Sequence, residues 1–257
     1  MSVLVSPQSY RMPMRNLALR HIGHPLAINL ESCWLFSEGV GTTVQDCTGL
    51  HPMTLDLTAL SWTRSGIFHN GIISSPTAGT TRGTVSGYPL LDVEYSIEVW
   101  LYITGTDSYG AILMGGTGLY TRNIGSGPQM NLWANTGGDH LSSHVLKLNA
   151  WSQSVVTYKN TSELTFYTNG LYNNKFTGFT TAGFTPTSIF NDVNSETFQG
   201  TMSLMRVWRR RCLTPLEVKT LYNDPLGMFI NTQTRRSTAV IGGGGDSGSG
   251  GFFQFFV

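Results

Sequence analysis

Apolar and polar positions alternate along most of this chain with a period of two, the signature of half-buried strands rather than helices. Residues 95–103, YSIEVWLYI, place Tyr95, Ile97, Val99 and Leu101 on one face and Ser96, Glu98, Trp100 and Tyr102 on the other. β-branched and aromatic residues also dominate QSVVTYK at 153–159 and ELTFYT at 163–168. Asn169-Gly170 follows at once and suits a tight hairpin turn. Gly-Ser-Gly-Pro at 125–128 and Thr-Gly-Gly-Asp at 136–139 bracket a further strand, 129–134. One helix is predicted, near residues 214–223. Thr214 is its N-cap, Pro215 takes the first helical position, Glu217 completes a capping box and Pro225 ends it. Leu216, Leu221 and Tyr222 are expected to face the core. The pattern is that of an all-β sandwich or barrel.

Composition narrows the class. Of the 257 residues only 12 % are charged, against about a quarter in an average soluble domain. With 11 % aromatic residues the chain is too apolar and too weakly charged for a disordered one. Sixteen basic against 15 acidic residues leave no excess to neutralise phosphates, so no nucleic-acid partner is expected. No uncharged apolar run approaches the roughly 20 residues of a membrane span. Cys33, Cys47 and Cys212 are too few for a disulfide framework, no CxxC occurs, and a Cys33–Cys47 pairing stays open.

Three zones follow. Residues 1–30 carry Arg11, Arg15 and Arg20 with no acid and read as an extended arm. Residues 31–230 form the body. Residues 231–257 run through IGGGGDSGSGG, with seven glycines among positions 242–251, into FFQFFV. On a flexible linker in water, Phe252, Phe253, Phe255 and Phe256 would form a sticky patch, so the tip is expected to dock on its own domain or on a neighbouring subunit. MSVLVSPQSYRMPMRNLALR, broken by Pro7 and Pro13, lacks the uninterrupted apolar stretch of a signal peptide, and synthesis in a host cytoplasm is expected.

In order, CWLFSEGVGTTVQDCTG at 33–49, SWTRSG at 61–66, SIEVW at 96–100, NAWS at 149–152 with VTY and FYTNG, and GTM through RVW to LTPLE at 213–217 carry a resemblance. Together they resemble laminin-G-like domains of the concanavalin A-like lectin/glucanase superfamily, over roughly residues 31–225. The resemblance implies a jelly-roll β-sandwich of two antiparallel sheets. It also implies that Trp34, Trp62, Trp100, Trp151 and Trp208 lie mostly in the core. NDPLGMF at 223–229 resembles versions of the domain in proteins encoded by tailed bacteriophages and environmental bacteria.

Because the superfamily includes glycoside hydrolases, acids need testing. Enzymes of this fold carry E-x-D-x-x-E, and Asp92, Glu94 and Glu98 do not match that order, so no catalytic residue is assigned. His140 and His144 have metal-ligand spacing only on a helix, and their glycine-rich context argues for a loop or strand. No G-x-S-x-G or dinucleotide fingerprint occurs, and GGTG at 115–118 precedes a strand. Some relatives bind calcium, to which Asp46 could contribute, although an Asp in a D-x-T-G turn more often accepts backbone N–H bonds. Otherwise no cofactor or metal is expected. Arg209, Arg210 and Arg211 read as a solvated turn, with contact to an acidic partner or phosphate as the other reading. Among aromatics in Gly/Asn-rich segments (Tyr109, Tyr120, Trp133, Tyr172), Tyr120 and Trp133 are the ligand-binding candidates.

The function expected is therefore a non-catalytic jelly-roll protein displayed on a phage-type virion, as a capsid decoration or tail component. Arg11, Arg15, Arg20 and the four tail phenylalanines would make contacts in a homo-oligomer or with other virion proteins. A carbohydrate-binding module recognising a cell-surface glycan is the alternative, and a glycoside hydrolase the remote one.

Overall fold

The computed structural model describes residues 17–19, 24–58, 60–74, 83–105, 108–115, 118–134, 138–159, 163–178, 183, 185–190 and 198–231. In chain order the strands are β1 (Leu17–Leu19), β2 (Leu30–Trp34), β3 (Thr43–Val44), β4 (Met53–Leu55), β5 (Leu60–Gly66) and β6 (His69–Ser74). Next come β7 (Gly83–Val85), β8 (Glu94–Ile103), β9 (Tyr109–Met114), β10 (Gly118–Asn123), β11 (Pro128–Ala134) and β12 (Gly138–Val145). The last are β13 (Trp151–Lys159), β14 (Glu163–Thr168), β15 (Leu171–Thr177), β16 (Ser188–Ile189), β17 (Gly200–Arg209) and β18 (Phe229–Asn231). One α-helix, α1 (Pro215–Asn223), lies between β17 and β18.

Two antiparallel sheets form the sandwich. One runs β12-β11-β10-β9-β16-β7-β4-β3; the other runs β15-β14-β13-β8-β17-β6-β5, with β2 also paired to β17. Their facing sides bury Ile97, Val99, Leu101, Ile112, Leu119, Met130, Leu132 and Phe166 among others. Asn173 and Asn174 of β15 hydrogen-bond Ser142 and the Leu141 carbonyl of β12, which ties the sheets together along one edge and blunts both edge strands. The separate pair β1–β18 matches Leu17 to Asn231 and Leu19 to Phe229.

The alternation in β8 is as the sequence implies, but both of its faces are buried. Tyr95, Ile97, Val99 and Leu101 enter the inter-sheet core, and Trp100 enters a second layer beneath α1. Helix α1 starts where its capping box places it: the Thr214 side chain accepts from the Glu217 N–H, and Glu217 answers on the Thr214 N–H. Its buried stripe is Val218 and Leu221, with Tyr222 stacked on Trp100 at 5.8 Å and 5°. Leu216, expected inward, is exposed. At 100° per residue it lies 200° from Val218, on the opposite side of the helix. Asn169 and Gly170 both take positive φ, 51° and 74°, and close the β14–β15 turn as the dipeptide implies.

The tryptophans divide. Trp34, Trp100 and Trp208 are fully buried. Trp62, on edge strand β5, is half-buried and donates to the Gly41 carbonyl at 2.8 Å. Trp151, at the start of β13, is half-buried against Tyr102. Edge and end positions give a large ring cover on one side only.

Candidate functional site

Beneath α1 the outer face of the second sheet holds the densest polar arrangement. Glu98 and Arg206 are both 0 % exposed and pair at 2.9 Å. Glu98 also accepts from Gln153 at 2.7 Å and Trp100 at 3.0 Å. Arg206 donates to the Pro225 carbonyl and lies over the Phe229 ring at 5.5 Å. All of these partners belong to the chain itself, so the pair fastens the 225–229 turn to the sheet. Glu98 is thereby removed from the Asp92, Glu94, Glu98 set as a free acid.

Other candidates are likewise accounted for by the fold. Both oxygens of Asp46 are taken: Oδ1 accepts the N–H groups of Cys33 and Thr48 at 2.8 and 3.0 Å, and Oδ2 accepts the Thr48 hydroxyl and the His51 N–H at 2.5 and 2.9 Å. A carboxylate so committed to the turn does not fit a calcium ligand, which must present free lone pairs. Among the described residues no group of three or more His, Cys, Asp and Glu is placed to hold a metal. His140 and His144 lie on strand β12, with the His140 ring edge-on to Phe176 at 5.0 Å. Arg209 donates to the Leu90 carbonyl, and Arg211 to the carbonyls of Pro25 and Ile28 and to Glu217, so two members of the basic triplet brace the fold.

The outer face of the first sheet is different. On β10 and β11 the residues that point away from the core are Gly118, Tyr120 and Arg122, and Gln129, Asn131 and Trp133, because Leu119, Met130, Leu132 and Ala134 point into it. Register sets Tyr120 opposite Asn131 and Gly118 opposite Trp133. On the far side, β12 sets Asp139 opposite Trp133. Tyr120 and Trp133, chosen from sequence context, therefore share one patch.

Its chemistry is specific. Asp139 accepts from the Tyr109 hydroxyl at 3.0 Å and Asn131 Nδ2 at 2.6 Å, and forms an ion pair with Arg122. The Arg122 guanidinium lies 4.8 Å from the centre of the Tyr109 ring, and Tyr109 meets Tyr120 edge-on at 5.9 Å. Trp133 is half-buried, and Tyr120 is buried among its neighbours. Gln129 Nε2 donates to the Ser142 carbonyl at 2.8 Å. Two acceptors are left over: Gln129 Oε1 and Asn131 Oδ1, on residues 8 % and 0 % exposed, have no hydrogen-bond partner. A buried carbonyl oxygen without a donor costs about 1–3 kcal/mol, so two on one face, beside a half-buried indole, mark a place that lacks donors. Sequence context singled out Tyr120 and Trp133 as candidates. Arg122, Asn131 and Asp139 were missed, although the alternation of 129–134 already puts Asn131 and Trp133 on one side.

Tyr172 is exposed on β15 in the other sheet, edge-on to Tyr167. Arg11, Arg15, Arg20, Phe252, Phe253, Phe255 and Phe256 lie outside the described residues.

Comparison with known proteins places the fold. The profile of the concanavalin A-like lectin/glucanases superfamily matches residues 77–219. No curated protein matches the sequence. Among solved structures, domain 4 of the extracellular arabinanase AbnA from Geobacillus stearothermophilus, in complex with arabinotriose, is similar with a TM-score of 0.61 at 13 % identity, covering 76 % of this chain and 98 % of that one. Trypanosoma rangeli sialidase is similar with a TM-score of 0.59 at 13 % identity, covering 78 % of this chain but only 33 % of the sialidase. The binding domain of Paraclostridial Mosquitocidal Protein 1 gives 0.58 at 13 % identity, covering 83 % of this chain and 53 % of that one.

Proposed function

The chain belongs to the concanavalin A-like lectin/glucanase superfamily, and from that premise we propose that it is a non-catalytic, carbohydrate-binding module. Its site is the outer face around Trp133. The observation that carries this reading is the pair of buried, donor-less oxygens, Asn131 Oδ1 and Gln129 Oε1, beside the half-buried indole. A sugar supplies what both features lack: its apolar face stacks on Trp133, and its hydroxyls donate to the amide oxygens once the side chains covering those oxygens part. Arg122 and Asp139 neutralise each other and add a donor and an acceptor at the rim. A solved domain of nearly the same extent carries arabinotriose, which supports a glycan ligand without naming this one.

The catalytic alternative is weaker because Glu98 is consumed by Arg206. Turnover of a β-glucan panel, abolished by Glu94→Gln, would revive it. In the fuller form of the proposal the module is displayed on a phage-type virion as part of a homo-oligomer. Arg11, Arg15, Arg20 and the FFQFFV tip then make the assembly contacts. Support for that part is the locally basic arm, the glycine-linked apolar tip and the likeness of residues 223–229 to domains encoded by tailed bacteriophages and environmental bacteria. Binding of the intact protein to immobilised glycans, compared with its Trp133→Ala variant, tests the sugar site.

A further inference from the structure

Cys33 and Cys47 occupy facing positions on two neighbouring stretches of chain. The antiparallel bridge Trp34–Asp46 sets them directly opposite each other, and the Cys47 N–H donates to the Cys33 carbonyl at 2.8 Å. Residues so opposed have Cα atoms about 4.5–5.5 Å apart, inside the range a disulfide spans. Both thiols are free, and each is near enough to shift the ionisation of the other. Cys33 is wholly buried with the Arg206 guanidinium next to it, whereas Cys47 is only partly covered. The geometry points to a reversible disulfide between Cys33 and Cys47, closed by exchange with a small-molecule disulfide that reaches the chain through Cys47.

Burial opposes ionisation of Cys33, but the Cys47 thiol and Arg206 outweigh it and hold the Cys33 thiol below its ordinary range. That of Cys47 is raised, chiefly by its bond to Cys33, so Cys47 holds its proton more firmly than Cys33 does. Once Cys47 gives up its proton, to the Cys33 thiolate or to solvent, the Cys47 thiolate attacks one sulfur of the small disulfide. A mixed disulfide forms and one small thiolate leaves. Cys33 then loses its proton, attacks the Cys47 sulfur, and expels the second small thiolate. In sum, two protein thiols and one small disulfide become one protein disulfide and two small thiols. The bond ties β2 to the 46–49 turn. Glutathione in a reducing compartment keeps it open, and an oxidising exterior closes it. Cys212 stands apart. Its thiol donates to the Tyr158 carbonyl at 2.9 Å and is pushed up to about 12, mainly by burial.

The test is to incubate the full chain in mixtures of glutathione and glutathione disulfide, quench with an alkylating agent under denaturing conditions, and read intact mass and peptides. Expected in the oxidising mixture is a species lighter by about 2 Da, the two thiol hydrogens, before alkylation. One alkylated cysteine should then remain, Cys212, together with a linked peptide pair holding Cys33 and Cys47. Cys212→Ser closes equally well. Cys47→Ser, which blocks entry of the oxidant, leaves Cys33 without adduct. A stable glutathione adduct on Cys47 that never closes, or three alkylated cysteines in every mixture, overturns the proposal.

Discussion

Asn131 Nδ2 donates to Asp139 Oδ1 at 2.6 Å, while Asn131 Oδ1, fully buried two residues from Trp133, accepts from nothing. One half of this amide is held by the fold, and the proposed sugar site would use the other. Replacing Asn131 by Leu separates the two roles. It deletes one hydrogen bond and one orphaned acceptor together, so stability should change by no more than about 1 kcal/mol. Glycan binding should fall at least about tenfold. Thermal unfolding and glycan binding measured on the same preparation check both, and a large stability loss with intact binding would place Asn131 in the scaffold alone.

A second prediction concerns Glu98 and Arg206, paired at 2.9 Å out of reach of water. Arg206→Met strands a buried carboxylate and should cost about 3–5 kcal/mol. The double variant Arg206→Met, Glu98→Gln removes both charges and should be more stable than the single one. Denaturant unfolding of the three proteins gives the ordering.

Very little of that pair was legible in the sequence. Glu98 and Arg206 are 108 residues apart, and their meeting depends on the β8–β17 register, which no local pattern encodes. The alternation of β8 and the N-cap at Thr214 are local, set by neighbours two to four residues away, and the structure follows them. The proposed binding face lies between these cases. Asn131 and Trp133 share a side by simple alternation, but Asp139 and Arg122 join them only through pairing of three strands. Burial of both faces of β8 was also hidden, because it needs the helix, the 25–27 turn and residues 225–229 to fold back over Trp100.

The helix cap gives a pH dependence. Burial opposes ionisation of Glu217, but the N–H and hydroxyl of Thr214 together with Arg211 prevail and hold its carboxyl below the usual range. A group depressed on folding stabilises fully above its unfolded value, about 4.3, and loses that contribution as pH falls through the lower folded value. Acidification below about pH 4 should therefore loosen α1, and Glu217→Gln should flatten this part of the stability profile. Thr214→Ala should cost about 1 kcal/mol at neutral pH. Unfolding curves across the acid range measure both effects.

The proposed assembly role would rest on the terminal segments. Removing residues 242–257 should leave the thermal midpoint of the sandwich unchanged and abolish the oligomer or the attachment to particles. Light scattering and co-sedimentation of the truncated chain report this directly, and unchanged particle size with attachment retained would remove the tail from assembly.

The most direct measurement for the central claim is quantitative glycan binding by the intact protein, first on an array and then by calorimetry on the best ligand. The expected result is reproducible binding to at least one glycan, weakened about tenfold or more by Trp133→Ala with the fold intact. Silence across the array, or binding that Trp133→Ala and Asn131→Leu leave untouched, would contradict a sugar site on this face.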